Sequence, residues 1–238
     1  AEGLGLMQLA ASVGTLALTL GSSGIRIAAM YLTAEEHGKR RPDGVRSAMN
    51  CCIRTGFCLS LLAGLLLVCF APRLAAGWIS DPRAAISLRI IGIFLPFTCL
   101  NCILTGYFTA CGKLGKLVAI ELIERLLSVL LTIVLLRRWA GNDLARACCV
   151  IFGCSSFPCA CSFFVMYVIY RRDCRVLSPA LPQPRMGRRL ARLCIPLAVN
   201  EYLRSGLSTL EHLLIPYGLR RSGVSASHSM AAYGTIHG

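Results

Sequence analysis

Glutamates and arginines stand inside apolar stretches of this chain, at helical spacing, where a purely lipid-facing helix would have no use for them. Glu121, Glu124 and Arg125 interrupt the apolar run 116–136, and Glu201, Arg204 and Glu211 interrupt 190–216. Arg26 falls within a run that begins near residue 5. Uncharged polar residues share the same faces. Gln8, Ser12, Thr15, Thr19, Ser22 or Ser23, and Arg26 recur every three or four positions, as do Thr98, Asn101, Thr105 and Thr109. Ser128 and Thr132 extend the Glu121 stripe; Ser208 and His212 extend the Glu201 stripe. A charge at the centre of a bilayer costs on the order of 2.5 to 3.5 kcal/mol even on the lenient insertion scale, so these groups must face protein or water. The chemistry open to them is ion handling. An arginine fork makes paired, charge-assisted hydrogen bonds to anionic oxygens, and a carboxylate balances charge or couples to a cation. The competing structural reading is local: Glu121 pairs with Arg125 at i,i+4, Glu201 pairs with Arg204 at i,i+3, and the hydroxyls bond back to their own helix carbonyls. Arg26 has no acidic neighbour within a turn, and its structural alternative is to snorkel to the membrane edge.

Nothing else in the chain assembles a reactive centre. His37, His212, His228 and His237 are scattered, Glu211 and His212 adjoin without sharing a helix face, and no HExxH, P-loop or GxSxG pattern occurs. The reading is therefore not an enzyme, and no metal site or cofactor is expected beyond a coupling cation. The 14 cysteines lie almost all in apolar runs; the pairs Cys51 and Cys52, Cys148 and Cys149, and Cys159 and Cys161 lack C-x-x-C spacing, and the set reads as small membrane-buried hydrophobes. Tyr107, Phe108 and Phe157 read as packing residues, and Trp78 and Trp139 as anchors at the outer interface.

The elements that must position the polar stripes follow from hydropathy. Over 238 residues, 55% are hydrophobic and only 15% charged, far from the quarter or so usual in soluble domains. The mean hydropathy is +0.64. A net charge of +14 could indicate a nucleic-acid partner, but the basic residues sit between apolar runs rather than in a continuous patch, which excludes that class. They read as topology determinants of an all-α polytopic membrane protein. A bilayer core of roughly 30 Å needs about 20 helical residues, and six spans qualify: 5–34, 51–71, 86–110, 116–136, 145–170 and 190–216. The first carries Gly21, Ser22, Ser23 and Gly24 and is expected to be one long, bent or tilted helix. Pro72, Pro82, Pro179, Pro182 and Pro184 are expected in connections, and Pro96, Pro158 and Pro196 are expected to kink spans.

Alternate connections differ in charge. Lys39, Arg40, Arg41, Arg46, Lys113, Lys116 and the arginines at 171, 172, 175, 185, 188, 189 and 192 fall on one side, which is the richer and hence the cytoplasmic one. The first helix would then run inward, which implies at least one helix upstream. The basic, proline-containing stretch 171–189 divides the chain: residues 1–170 hold five helices of one lobe, and 190–238 hold the first helix of a second lobe and the start of the next. Two bundles joined by a cytoplasmic linker are a plan common among transporters.

Three segments carry a family resemblance. LRSGLSTLEHLLIPYGLRRSGVSASHSMAAYGTIHG (203–238) resembles the stage V sporulation protein B-like branch of the polysaccharide exporters, within the multidrug/oligosaccharidyl-lipid/polysaccharide flippase superfamily. GLGLMQLAASVGTLALTLGSSGI (3–25) is similar to that family's second helix, and GYFTACGK (106–113) to the end of its fourth. The resemblance implies helices two to seven of a two-lobed bundle in the plasma membrane. It further implies an alternating-access flippase for a lipid-linked oligosaccharide or peptidoglycan precursor, with a role in the spore envelope of spore formers. The partners so implied are membrane lipid and a polyprenyl-diphosphate-linked glycan. The diphosphate and sugars would enter a basic cavity lined by Arg26, Asn101, Glu121, Glu124, Arg125, Glu201, Arg204, Ser208 and Glu211. Arg26 departs from the pattern, standing where relatives commonly have proline or another uncharged residue. The alternatives are a cation-coupled multidrug exporter of the same superfamily, whose efflux would depend on Glu121 or Glu124, and a non-transporting membrane scaffold, whose polar stripes would pack dry.

Overall fold

The apolar runs form helices, and the computed structural model describes residues 2–22, 24–76, 84–140, 144–175 and 186–221. In chain order these are α1 (Glu2–Ser22), α2 (Ile25–Gly38), α3 (Pro42–Leu74), α4 (Ala84–Ala110), α5 (Leu114–Leu135), α6 (Leu144–Arg175) and α7 (Met186–Arg221), with a wider π-helical turn at Leu136–Ala140. No strand occurs among the described residues. Four stretches are long and apolar enough to cross a membrane: Ala10–Gly38, Pro42–Leu74, Ala85–Ala110 and Ala147–Cys174. The other two expected spans form α5 and α7. Both have spanning length and are interrupted by the charged residues of their polar stripes.

The first expected span is not one bent helix. Gly24 has φ of +70° and separates α1 from α2. Only glycine enters the left-handed region without a steric cost, so the chain can stop one helix and restart another within three residues. Position 24 also lacks room for a side chain, since a Cβ there would sit 2.8 Å from the Leu197 Cβ of α7. Pro72, expected in a connection, instead lies inside the last turn of α3. Helices α4, α6 and α7 continue through Pro96, Pro158 and Pro196. Expectations for Trp78, Pro82, Pro179, Pro182 and Pro184, and for the segment 222–238, lie outside the described residues, as does the Trp139 side chain.

Two core clusters flank the break. Ala10, Val13, Leu67, Leu88 and Leu95 pack together on one side of it; Ile25, Leu32, Met49, Ile103, Phe108, Met166 and Leu190 pack on the other. Helices α3 and α4 cross with almost no side-chain spacer, because a Cβ on Gly64 would stand 2.5 Å from the Gly92 carbonyl oxygen. Such backbone approach through small residues is how membrane helices gain van der Waals contact without a hydrophobic driving force between them. The outer faces are apolar: Leu65 and Ile123 are 61% and 65% exposed, as a lipid-facing surface requires. Phe157 joins that surface at 54% exposed and is not a packing residue, whereas Tyr107 and Phe108 are fully buried. All fourteen cysteines are free thiols, and Cys52, Cys99, Cys148, Cys154, Cys159 and Cys174 pack in the interior as the apolar reading expects.

The basic connections gather at one end. Lys113, before α5, donates to Asp173 at the end of α6 at 2.6 Å. Arg189, near the start of α7, reaches across to the end of α2, donating from Nη2 to Glu35 Oε2 at 2.7 Å and from Nη1 to Glu36 Oε1 at 3.0 Å. These two carboxylates, Glu36 first, raise the Arg189 guanidinium above its already high pKa. The expected linker 171–189 is partly helical, since α6 runs to Arg175 and α7 starts at Met186.

Candidate functional site

The polar stripes face a common cleft. Thr15, Thr19 and Ser22 of α1, Gly24 and Arg26 at the break, and Glu201, Arg204, Ser205 and Ser208 of α7 line a cavity of about 730 Å³. Asn101 and Thr105 of α4, Glu121, Glu124 and Arg125 of α5, and Ser155, Ser156 and Cys159 of α6 line a second of about 630 Å³. Ala11, Thr15, Leu18, Arg26 and Cys102 belong to both, so the two are one continuous groove with Arg26 at the junction. Eight of the nine site residues expected from sequence therefore converge. The ninth, Glu211, lies on α7 with its side chain outside the described residues.

Local pairing separates the charged groups from the hydroxyls. Thr15, Thr19, Thr98, Thr105, Thr109 and Thr132 each donate to a carbonyl four residues back, at 2.8 to 3.2 Å. The charges do not pair in that way. Among the described residues, no ion pair within 4 Å joins Glu121 to Arg125 or Glu201 to Arg204, and Arg26 makes none. Three arginines thus enter one groove with their forks uncommitted, a stronger electrostatic provision for an anion than paired ones would be.

Glu201 is held by the backbone. Its Oε2 accepts the Gly24 N–H at 3.0 Å, across 177 residues of sequence. A helix restart exposes N–H groups that no carbonyl four residues back can satisfy, and a carboxylate there is favoured by both hydrogen bonding and the helix dipole. Tyr202 adds a long contact from its hydroxyl to the Leu20 carbonyl at 3.4 Å. The break in α1–α2 and the carboxylate of α7 therefore make one feature. Asn101 spans the other half of the groove, its Nδ2 lying 3.5 Å from Glu124 Oε2 and 3.6 Å from Cys159 Sγ. Its Oδ1 is buried without a partner among the described residues, an acceptor facing a polar groove.

Gly24 and the α6 wall were missed in the sequence. The α6 signal was present: Phe152, Ser155, Ser156 and Cys159 follow i, i+3, i+4 and i+7 spacing. Gly24 carried no such signal, because its role depends on a partner far along the chain. Ser128 and Thr132, placed on the α5 stripe, do not line the groove.

Wetness of this groove is directly measurable. On a cysteine-depleted background, single reporter cysteines replacing Thr15, Thr105 or Ser208 are expected to react with a water-soluble thiol reagent, while one replacing the fully buried Ala28 stays protected. Protection at all four positions would show the stripes to be dry helix contacts.

A helical bundle with a lipid-facing exterior, a broken first span and a charged groove between helices defines a multi-pass membrane protein with a polar interior. The chain belongs to the MatE family, whose model matches residues 1–134. Along its whole length it is 21% identical to Stage V sporulation protein B of Bacillus subtilis (strain 168), and it spans 47% of that protein. No solved structure matches it. The whole-length match covers all three sequence segments that carried the resemblance, and the family model covers the segments 3–25 and 106–113.

Proposed function

We propose that the groove is the headgroup pathway of a flippase for a lipid-linked oligosaccharide or peptidoglycan precursor. The observation that carries this reading is the convergence of Arg26, Arg125 and Arg204, without an ion pair among the described residues, on one polar groove inside an apolar shell. A diphosphate offers the paired anionic oxygens that arginine forks recognise, and threonine, serine and asparagine side chains suit sugar hydroxyls. The polyprenyl tail stays in lipid along the apolar outer faces while the headgroup crosses. Glu121, Glu124 and Glu201 keep the groove from holding the anion too tightly, because release requires competing charge. Helices α1 to α6 belong to one lobe and α7 opens a second, with substrate between lobes and access alternating. Similarity to the sporulation protein supports placing this transport in spore-envelope formation.

Headgroup flipping in vesicles tests the assignment. The Arg125→Ala/Arg204→Ala double variant is expected to lose at least about tenfold in flipping rate, the equivalent of one lost charge-assisted interaction of roughly 1.5 kcal/mol or more. Unchanged flipping would remove both arginines from the pathway. A cation-coupled small-molecule exporter remains the second reading, favoured by the three carboxylates in the same groove. It requires organic-cation efflux that depends on Glu121 or Glu124.

A further inference from the structure

A separate cavity of about 840 Å³ opens at the basic end of the bundle, between the α2–α3 turn and the α4–α5 turn. Its rim carries His37, Arg40, Arg41 and Lys113, with Asp173 as the acidic member and Tyr107 beneath. Lys113 is committed to Asp173 and also lies 6.0 Å above the Tyr107 ring. Arg40 and Arg41 are exposed, and among the described residues no ion pair within 4 Å engages either guanidinium. Asp43 stands in the first turn of α3 but is not part of the lining.

Backbone polarity at this end has the same sign. Helices α3 and α5 both start here, with N-caps Arg41 and Lys113 that make no side-chain capping bond. Their first backbone bonds run from Val45 N–H to the Arg41 carbonyl and from Leu117 N–H to the Lys113 carbonyl, so the earlier N–H groups of each first turn have no helical acceptor. The last carbonyls of α2 and α4 are closed by the turns themselves: Glu35 and Glu36 accept from Lys39 and Arg41, and Tyr107 and Phe108 from Cys111 and Lys113. The guanidinium groups of Arg40 and Arg41 stay open while most of these terminal carbonyls are engaged.

Arg40 adds an independent sign of function. Among the described residues it is the sole non-glycine with positive φ, at +55°. Glycine or asparagine would hold that turn with less strain, and strained backbone persists where a side chain's role outweighs it. The strain places a guanidinium at the cavity rim.

We propose that this cavity binds the phosphate of an anionic ligand, carried either by a phospholipid headgroup at the membrane edge or by a soluble phosphate compound. The inference rests on the loop-charge topology that puts this end at the cytoplasmic face, and not on the role of the groove. Arg40 and Arg41 hold the phosphate oxygens; Tyr107, Val45 and Pro42 give the ligand an apolar floor.

Binding of phosphatidylglycerol against phosphatidylcholine, measured by native mass spectrometry on the purified protein released from nanodiscs, provides the test. Arg40→Gly and Arg41→Gln are each expected to weaken phosphatidylglycerol binding about fivefold, the factor that corresponds to about 1 kcal/mol per basic residue near an anionic surface. Arg40→Gly relaxes the strained turn, so its unfolding temperature should equal or exceed that of the parent, which separates a binding role from a structural one. Arg204→Ala in the groove should leave this binding unchanged, so failure here and failure of the flippase reading are distinguishable. A phosphatidylglycerol preference lost in both rim variants assigns the phosphate to lipid. Thermal stabilisation by glycerol phosphate that needs the same arginines, without a lipid preference, assigns it to a soluble compound. Parent-like binding of both probes by Arg40→Gly and by Arg41→Gln would overturn the proposal.

Discussion

Valine in place of Gly24 is expected to destabilise the protein by about 4 kcal/mol and to abolish the headgroup flipping proposed for the groove. Two effects add. A β-branched residue held at φ of +70° pays roughly 1 to 3 kcal/mol of backbone strain. Its Cβ must also occupy space 2.8 Å from Leu197 Cβ and 3.3 Å from the Ala198 nitrogen, and overpacking of that kind costs roughly 1 to 3 kcal/mol more. Relief requires either a straightened α1–α2 or a displaced α7, and both remove the Gly24 N–H from Glu201. Gly24→Ala should show a smaller loss of the same kind, since it has the clash without the branched side chain. Thermal unfolding of the detergent-solubilised protein, followed by monodispersity, reads the effect. Valine and glycine forms that melt together would mean that α7 does not dock on the break.

Loss of the Arg189 side chain is the second large effect. Arg189→Ala strips the Glu36 carboxylate, 3% exposed, of the one cationic partner it has among the described residues, where its other oxygen, Oε2, is already buried without a hydrogen bond. Removing one member of a fully buried pair costs about 3 to 5 kcal/mol. Because Arg189 is 35% exposed, solvent screens the pair and the expected loss falls to about 2 kcal/mol. Glu35 keeps its bond to Lys39 and should contribute little of that loss. Adding Glu36→Gln to Arg189→Ala should recover stability, because an amide at that site no longer leaves a charge unpaired. A double variant less stable than Arg189→Ala alone would show that packing of the arginine stem, rather than charge, joins α7 to the end of α2.

Both predictions concern α7, and both depend on contacts invisible along the chain. The spans themselves were legible because hydropathy and helical periodicity are local: α4, expected at 86–110, runs Ala84–Ala110, and α5, expected at 116–136, runs Leu114–Leu135. The polar faces were legible for the same reason, since spacing of three or four residues places Glu121, Glu124 and Arg125 on one side of α5 whatever packs against it. The side shared by the basic connections also followed from alternation of short loops, and the Lys113–Asp173 and Arg189–Glu35 contacts bring those connections together.

The competing reading of local pairing does not hold for the charges. At i,i+4 Glu121 and Arg125 would attract on an isolated helix, but no ion pair within 4 Å joins them among the described residues, and Glu124 beside them lies toward Asn101 of α4. The break at Gly24 was likewise undecidable from its neighbours, because Gly-Ser-Ser-Gly is tolerated in a continuous membrane helix as readily as in a turn. Composition, hydropathy and spacing by themselves determined that this is a multi-pass helical membrane protein with charged helix faces turned inward, since each of those properties is set within a few turns of one helix. Tertiary structure alone decided where the first span breaks, that the Gly24 N–H meets Glu201, and that α6 completes the groove, because those outcomes depend on which helices lie side by side, and that is settled by packing between residues far apart in the chain.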